Sequence, residues 1–447
     1  NIKFSVPAGE NGEIVKHYTI FGNKYDSEFD LELINMGNII SNKTYDVVWN
    51  AGIRSVEENS ADESLFANSS VFYGGEKVKL DAAKFDQTYE EDFNGQVDWV
   101  AVRNKYFVAI MIPHSPEKVN GAYLHGTSEP RPNNGINEFY AAGFKMPFNN
   151  EANLKKSFTL YLGPIDYNIL KAHGKNLDKI VDFGSFLGLK FIIRPIAEYV
   201  LLPLFKFLHS FIPNYGLVII VFSLIIKLAV HPLTKSTYTS MKRMQLLQPK
   251  IQELKEKFKD DPQKINKETM KLYSTYGVNP AGGCLPMLLQ MPIFIALWGM
   301  FQAAVELRQQ PFIWWITDLS RPDTIFHLGF KIPLFGVDTV AGLALLMGVT
   351  TFVQQKMTIK DPQQQALIYI MPVMLTILFM TFPSGLNLYY FMFNLLSIAH
   401  QHYINKYSKS VELVPVANPN KKKGFMQRMM DAAEKQSKQT QNKGKKK

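Results

Sequence analysis

One cysteine, Cys284, in 447 residues excludes an intrachain disulfide and any multi-cysteine metal site. As a lone thiol it reads as a small packed side chain. No G-x-x-x-x-G-K-[ST] run occurs, so a phosphate-cradling loop of that kind is absent and no nucleotide cofactor is implied. The first 165 residues hold no cluster of histidine with carboxylates that reads as catalytic, and no metal or other cofactor is expected. Neither a methionine nor a signal sequence opens the chain at Asn1, so an upstream anchor or cleaved signal is expected to export the front portion. Acidic residues are also missing from the middle of every long apolar run.

That last absence makes "FSLIIKLAVHPLTKS" (222–236) the informative stretch. Ten of the twelve residues from Leu217 to Leu228 are apolar, and Lys227 sits among them. A charge at the centre of a membrane helix costs about 2.5–3.5 kcal/mol on insertion scales. Without an acidic partner a buried lysine must lose its proton or touch water.

The near-zero mean hydropathy hides two unlike parts. Residues 1–180 carry 18 Lys/Arg against 24 Asp/Glu, a net charge of −6; the remainder holds 31 against 15, a net of +16. An acidic front domain is therefore joined to a basic membrane domain. Residues 1–165 read as β structure. "WVAVRNKYFVAIMIP" (99–113) and "KSFTLYLGP" (156–164) have strand-like apolar content, Phe158, Leu160 and Leu162 alternate, and "RPNNGIN" (131–137) reads as a loop. An antiparallel sandwich follows.

From 183 to 211, Lys190, Arg194 and Glu198 recur every four residues with Phe, Leu and Ile around them, the pattern of a helix in the membrane interface that Pro195 bends or breaks. Five spans are predicted at 214–233, 283–304, 337–357, 366–382 and 384–403, each long enough for a bilayer core. Pro383 separates the last two into a tight hairpin. The segment 235–280 carries ten basic and five acidic residues, and the tail from 403 carries twelve and three, so both are cytoplasmic. The front domain, the loop 305–336 with its interfacial Trp314 and Trp315, and the Pro383 turn are then outside.

Met241, Met244, Leu247, Ile251, Leu254 and Phe258 form one apolar stripe. After Asp260-Asp261-Pro262 a second stripe follows at Ile265, Leu272, Tyr273 and Tyr276, which predicts a helical hairpin with basic outer faces. The low-complexity basic tail suits anionic lipid or ribosomal RNA. The expected divisions are a β-sandwich domain at 1–170, an interfacial helix and linker at 171–212, a five-span core at 213–405 and a basic disordered tail at 406–447.

Polar stripes run inside the spans. Ser223, Lys227 and His231 share a face at spacing four; Asn387, Tyr390, Asn394, Ser397 and Gln401 line another helix; Gln290 sits mid-span; Thr350 and Gln354 are an i, i+4 pair. Such residues often hydrogen-bond between helices as packing glue, the simpler reading for Thr350 and Ser397. If the faces converge they make a wet, positively charged groove instead. A channel would want a ring of charges from several subunits, and a transporter more spans with internal repeats. Ser384 and His400 lie sixteen residues apart on one helix, about 24 Å along its axis, too far for a protease pair.

"PLTKSTYTSMKRMQLLQPKIQELKEKFKDD" (232–261), "VNPAGGCLPMLLQMPIFIALW" (278–298), "VELRQQPFIWWITDLS" (305–320) and "FPSGLNLYYFMFNLLSI" (382–398) resemble the YidC/Oxa/Alb family of membrane protein insertases, over about residues 183–405. "VDWVAVRNKYFVAIMIP" (97–113) is similar to the end of the periplasmic domain of Gram-negative members, an all-β super-sandwich shaped like galactose mutarotase. A sugar-binding role for that domain would rest on fold analogy alone. The front is shorter than such a domain, as for a chain lacking its first anchor and part of the sandwich.

The resemblance implies a multi-pass protein of the bacterial inner membrane that is not an enzyme. It would insert, fold and help assemble membrane proteins through a hydrophilic groove, alone or beside the Sec translocon. Lys227 falls where the family carries a basic residue, there arginine; lysine keeps the charge and loses the fork of donors. Ser223, Gln290 and Tyr390 match groove or client-contacting positions. Segment 235–280 matches a first cytoplasmic loop that engages the signal-recognition-particle receptor, Asp361-Pro362 a second loop, and the basic tail a ribosome contact. The implied partners are nascent membrane proteins, the Sec translocon, the ribosome, that receptor and the phospholipid bilayer. The alternative is a small-solute transporter or channel.

Overall fold

The computed structural model describes residues 1–132, 135–184, 190–259, 261–278, 285–358, 365–407 and 415. Two compact units divide the chain: Asn1–Asp182 with Ala303–Val305, and Phe183–Gln302 with Glu306–Lys447.

The first unit is an all-antiparallel sandwich. Its strands are β1 (Ile2–Ala8), β2 (Gly12–Ile20), β3 (Asp26–Ile34), β4 (Thr44–Trp49), β5 (Asn68–Tyr73), β6 (Glu76–Leu80), β7 (Thr88–Asn94), β8 (Val97–Arg103), β9 (Phe107–Pro113), β10 (Gly121–Arg131), β11 (Gly135–Pro147) and β12 (Asn153–Pro164). One sheet runs β1-β2-β3-β12-β9-β8-β5-β6 and the other β4-β11-β10-β7. In β3 the sequence alternates strictly: Asp26, Glu28, Asp30 and Glu32 point out while Phe29, Leu31 and Leu33 are buried. Phe29 stacks on Phe158, and Phe158 on Phe144 of the facing sheet, with ring centroids 5.8 and 5.9 Å apart. These rings form the middle of the core between the sheets.

The larger sheet is buried on its other face too. α1 (Ser60–Ser64) packs at β11, whereas α2 (Tyr167–Ala172) and the turns after it cover β8, β9 and β12. Trp99 Nε1 donates to the Lys175 carbonyl at 3.0 Å, and Leu170, Leu177 and Ile180 are fully buried. This second cover is why 97–113 reads as a continuous apolar run. It also corrects the expected alternation in β12. Phe158 and Leu160 point into the sandwich, Tyr161 is fully buried on the opposite face, and Leu162 is exposed. The loop expected over 131–137 is shorter, since β10 reaches Arg131 and β11 begins at Gly135.

Two cations are buried in this unit. Arg103 donates only to carbonyls, those of Asn104, Ile180 and Lys105, at 3.1, 2.8 and 3.3 Å. Burial pushes its guanidinium down to about 10, opposed by Asp182. Lys105 lies 2.7 Å from Asp62. Burial disfavours its charge, but Tyr106 and Asp62 outweigh that and raise its pKa.

The second unit is helical. α3 (Lys190–Ile196) leads through a wide turn at Ala197–Leu201 into α4 (Leu202–His209). Pro195 does not break this stretch; widening after it absorbs the missing N–H. Its polar face turns inward: Glu198 is buried and accepts from Arg194 Nε at 3.2 Å, while Phe191, Tyr199 and Phe207 are exposed. α5 (Tyr215–Lys257) continues through Pro232 and Pro249, so the first expected span and the first arm of the hairpin are one 43-residue helix. α6 (Pro262–Thr275), capped by Asp261, is the second arm. The hairpin core is Leu247, Ile251, Tyr273 and Val278 with Met244 packed against it. The side chain of Met241 lies outside the described residues.

Then come α7 (Leu285–Ala303), a strand pair β13 (Thr324–His327) and β14 (Thr339–Ala341), α8 (Gly342–Thr358), α9 (Gln365–Phe379) and α10 (Ser384–Tyr407). α8 starts five residues later than expected, because Thr339–Ala341 pairs with β13. Among the described residues only Tyr215–Pro232 meets the length and apolarity of a span, with mean hydropathy 2.0; Ile368–Phe379 is apolar but shorter. Cys284, Asp361, Pro362 and nearly all of the basic tail lie outside the described residues.

Glu138 gives the β unit a pH dependence. Burial, then Asp81, raise its carboxyl pKa to about 7, although Tyr140 donates to it at 3.2 Å. A folded pKa above the unfolded one means the contribution is full below about pH 4.5 and is lost as pH rises through about 7. Glu138→Gln should therefore flatten the stability of the sandwich between pH 5 and 8, by no more than about 2 kcal/mol given partial exposure. Thermal unfolding of both proteins across that range checks it; equal pH slopes would refute it.

Candidate functional site

Lys227 projects from the buried face of α5, which also carries Val218, Ile219, Phe222, Ser223 and Ile226; Leu217, Leu224 and Leu228 occupy the exposed face. Spacing of three and four residues puts these sets on opposite sides. The ammonium donates to Ser397 Oγ of α10 at 2.6 Å and lies 4.6 Å from the centroid of the Phe393 ring. Lys227 keeps only 9% of its surface exposed. Ser397 in turn donates to the Phe393 carbonyl at 2.7 Å. One helical turn toward the hairpin, His231 meets His400 edge to face at 4.5 Å.

The remaining polar positions distribute around α10. Asn394 Nδ2 donates to Thr351 Oγ1 at 2.8 Å and, more weakly, to Thr350 Oγ1 at 3.4 Å. Both threonines also bond the Met347 carbonyl within α8. Asn387 Nδ2 reaches the Phe379 carbonyl at 3.1 Å, closing the turn between α9 and α10. Gln290 of α7 faces the hydroxyls of Tyr389 and Tyr390. Gln290 Nε2 and both hydroxyls make no well-aligned hydrogen bond among the described residues. An aromatic cluster of Phe294, Phe379 and Tyr390, with centroids 5.3–5.8 Å apart, surrounds that group.

The expected residues are thus gathered by one helix without forming one continuous line. Lys227 meets α10 from α5, Thr350 from α8 and Gln290 from α7. Ser223 is fully buried, and its hydroxyl donates to Ile220 of its own helix at 2.7 Å. Gln354 is half-buried, and its neighbour Gln355 is the buried amide on α8. Met244, Leu247 and Ile251 hold the hairpin together well along the chain from Lys227.

Sequence reasoning missed Phe393, Thr351 and Gln355. Phe393 was one of many aromatics, and only its place four residues before Ser397 could have marked it. Thr351 was passed over because Thr350 fitted the i, i+4 pattern with Gln354. Among the described residues no group of three or more His, Cys, Asp or Glu side chains could hold a metal ion.

A model of the 60Kd inner membrane protein family matches residues 207–411, and a model of the YidC periplasmic domain matches residues 1–199. A relative from Chlorobium limicola, named membrane protein insertase YidC, is 44% identical over 404 residues, covering 90% of this chain and 67% of its own length. One of the same name from Chlorobium phaeovibrioides is 41% identical over 431 residues, covering 95% and 72%. A crystal structure of an active YidC insertase with its first transmembrane domain resolved is 20% identical, with a TM-score of 0.39, covering 91% of this chain and 94% of its own; so loose a likeness adds nothing to the fold described above.

Two substitutions separate packing from polarity in this bundle. A Cβ at Gly348 would collide with Thr376 of α9, whose hydroxyl already donates to the Pro372 carbonyl at 2.7 Å. Gly348→Leu should lower the melting temperature of the detergent-solubilised chain markedly, by overpacking. Asn394→Leu removes one good interhelical bond and should cost only about 1 kcal/mol. Equal losses in a thermal-shift series would show that the polar contact matters as much as the close approach.

Proposed function

The chain belongs to the family of YidC membrane protein insertases, and on that premise we propose that it moves hydrophobic segments of nascent membrane proteins from the cytoplasm into the bacterial inner membrane. The observation that carries the mechanism is the Lys227 ammonium, held between α5 and α10 by a hydroxyl and an aromatic ring. Both contacts are weaker than one to a carboxylate. An acidic client tail therefore gains by replacing Ser397 as the acceptor, and the low local dielectric strengthens that pairing.

The tail is drawn partway across while the client's apolar segment leaves toward lipid, where burial contributes roughly 25 cal/mol per Å². No covalent bond changes, so the role is that of an insertase and chaperone rather than an enzyme. Ser223, Gln290, Thr350, Gln354, Asn387, Tyr390 and Asn394 supply the polar surface along the client's path, exchanging the partners they hold between helices for client groups and water. In this reading five helices span the membrane, the sandwich is periplasmic and the basic tail is cytoplasmic.

The α5–α6 hairpin, with Met241, Met244, Leu247 and Ile251 along its inner stripe, presents basic outer faces to the ribosome and the signal-recognition-particle receptor. Asp361 and Pro362 belong to a second cytoplasmic loop, and the Sec translocon is a partner for some clients.

Site-specific photocrosslinking tests this directly. A photoreactive residue at Ser223 or Tyr390 should capture a stalled single-span client only when the client is present. Lys227→Ala should weaken capture of acidic-tailed clients several-fold, and Lys227→Arg should restore it. Client-independent signals at both positions, or strong saturable flux of small solutes through the purified protein in liposomes, would refute the reading.

A further inference from the structure

The loop between α7 and α8 carries an apolar surface that the insertion mechanism does not use. Phe326 of β13 is 60% exposed, and Phe330 and Leu334 in the turn beyond it are 62% and 96% exposed. The turn is ordered: Leu328 and Ile332 donate backbone hydrogen bonds to Asp338 and Val337 at 2.8 and 2.7 Å. One side of it, Ile332 and Phe335, packs on the cluster around Met347 and Phe379. The other side presents the large apolar residues outward. Leu334 adopts φ +75°. A bulky residue in that left-handed region is an outlier, and glycine or asparagine is the ordinary choice for a solvated turn.

The level of this surface relative to the helices is fixed by Asp323. Its Oδ2 accepts from the Leu343 N–H at 2.7 Å, in the first turn of α8, and from Trp315 Nε1 at 2.8 Å. Trp314, 83% exposed, stacks on Trp315 at 5.7 Å. Tryptophans are enriched at a membrane–water boundary, and the Asp323 carboxylate caps the start of α8. Along the chain β14 leads directly into α8, which likewise exposes Leu345, Val349 and Val353. Residues 324–341 hold one lysine, Lys331, and one aspartate, Asp338. Lys331 is long enough to reach headgroups from a turn lying in the acyl boundary.

We propose that the β13–β14 pair and its turn lie in the headgroup boundary of the outer leaflet, with Phe326, Phe330 and Leu334 among the acyl chains. The lipid surface, rather than a protein, is the occupant because β14 runs directly into α8, whose Leu345, Val349 and Val353 are exposed, and the exposed Trp314–Trp315 pair flanks the loop. This inference rests on the reading of α7 and α8 as spans. It adds a lipid-binding element that tethers the outer end of the bundle, where the turn between α9 and α10 also lies.

The test uses the full chain in phospholipid liposomes, in a Cys284→Ala background, with a nitroxide placed in turn at Phe330→Cys, Leu334→Cys, Val349→Cys and Glu10→Cys. Collisions with oxygen and with a water-soluble nickel chelate are read by power-saturation EPR. At 330 and 334 oxygen collisions should exceed nickel collisions several-fold, as at 349, with the reverse at 10. Nickel access at 330 and 334 with lipid-like behaviour at 349 would overturn the proposal and leave the spans standing. Nickel access at 349 as well would overturn the span reading and the proposal together. Exclusion of both reagents at 330 and 334 would mean that protein covers the patch, which also overturns it.

Discussion

In hydrocarbon no water is at hand to satisfy a buried polar group, so each one must find its partner within the protein. The helical unit answers this constraint in part through α10, while Gln290, Tyr389 and Tyr390 keep polar atoms without a well-aligned hydrogen bond among the described residues. Asn387, Asn394 and Ser397 reach the α9–α10 turn, α8 and α5 respectively, each with a hydrogen bond. If α10 were apolar at these positions the threonines of α8 could fall back on their own carbonyls, as they already do. Lys227 meets α10 through the Ser397 hydroxyl and the Phe393 ring. That contact joins α5 to α10 at a buried position, beside the Phe222–Tyr389 ring pair one turn away.

The sandwich solves a related problem with different means. Arg103 lies in a strand buried on both faces, and its guanidinium is spent on three carbonyls, two in the β8–β9 turn and one, Ile180, in the covering segment. Five donors in a fixed fork suit this; a lysine could not reach all three acceptors at once. Lys105, two residues on, sits instead against one carboxylate and two rings, which a compact ammonium does well. Each cation matches its chemistry to the acceptors its position offers. In the helices, where carboxylates are scarce, lysine takes the hydroxyl-and-ring solution.

Periodicity made much of this legible beforehand. The alternation in β3 is visible in the letters alone, and the four-residue spacing of Ser223 and Lys227 placed both on one buried face of α5. The stripe through Leu247 and Ile251 likewise marked the hairpin core. What stayed illegible was pairing across elements. No spacing rule within α10 says that Asn394 meets Thr351 while Ser397 meets Lys227, because that depends on how neighbouring helices are rotated. Strand β12 misled for a related reason: its second face is covered by residues that follow it, so Tyr161 is buried where alternation put the solvent. Pro195 misled oppositely: it read as a bend or break, yet the chain runs on through the wide turn at Ala197–Leu201.

The continuity of α5 bears on how the two ends of the helical unit communicate. A 43-residue helix is about 65 Å long, and Lys227 and Leu247 are some 30 Å apart along it. A stiff rod would carry any displacement of the hairpin core directly to the ammonium. Pro232 intervenes, and it supplies no N–H to the Leu228 carbonyl one turn back, so the ladder is weakened just past Lys227. Bending there, as at Pro249, costs less than in the proline-free stretches of the helix. A bend at that point lets the hairpin shift without drawing Lys227 off Ser397.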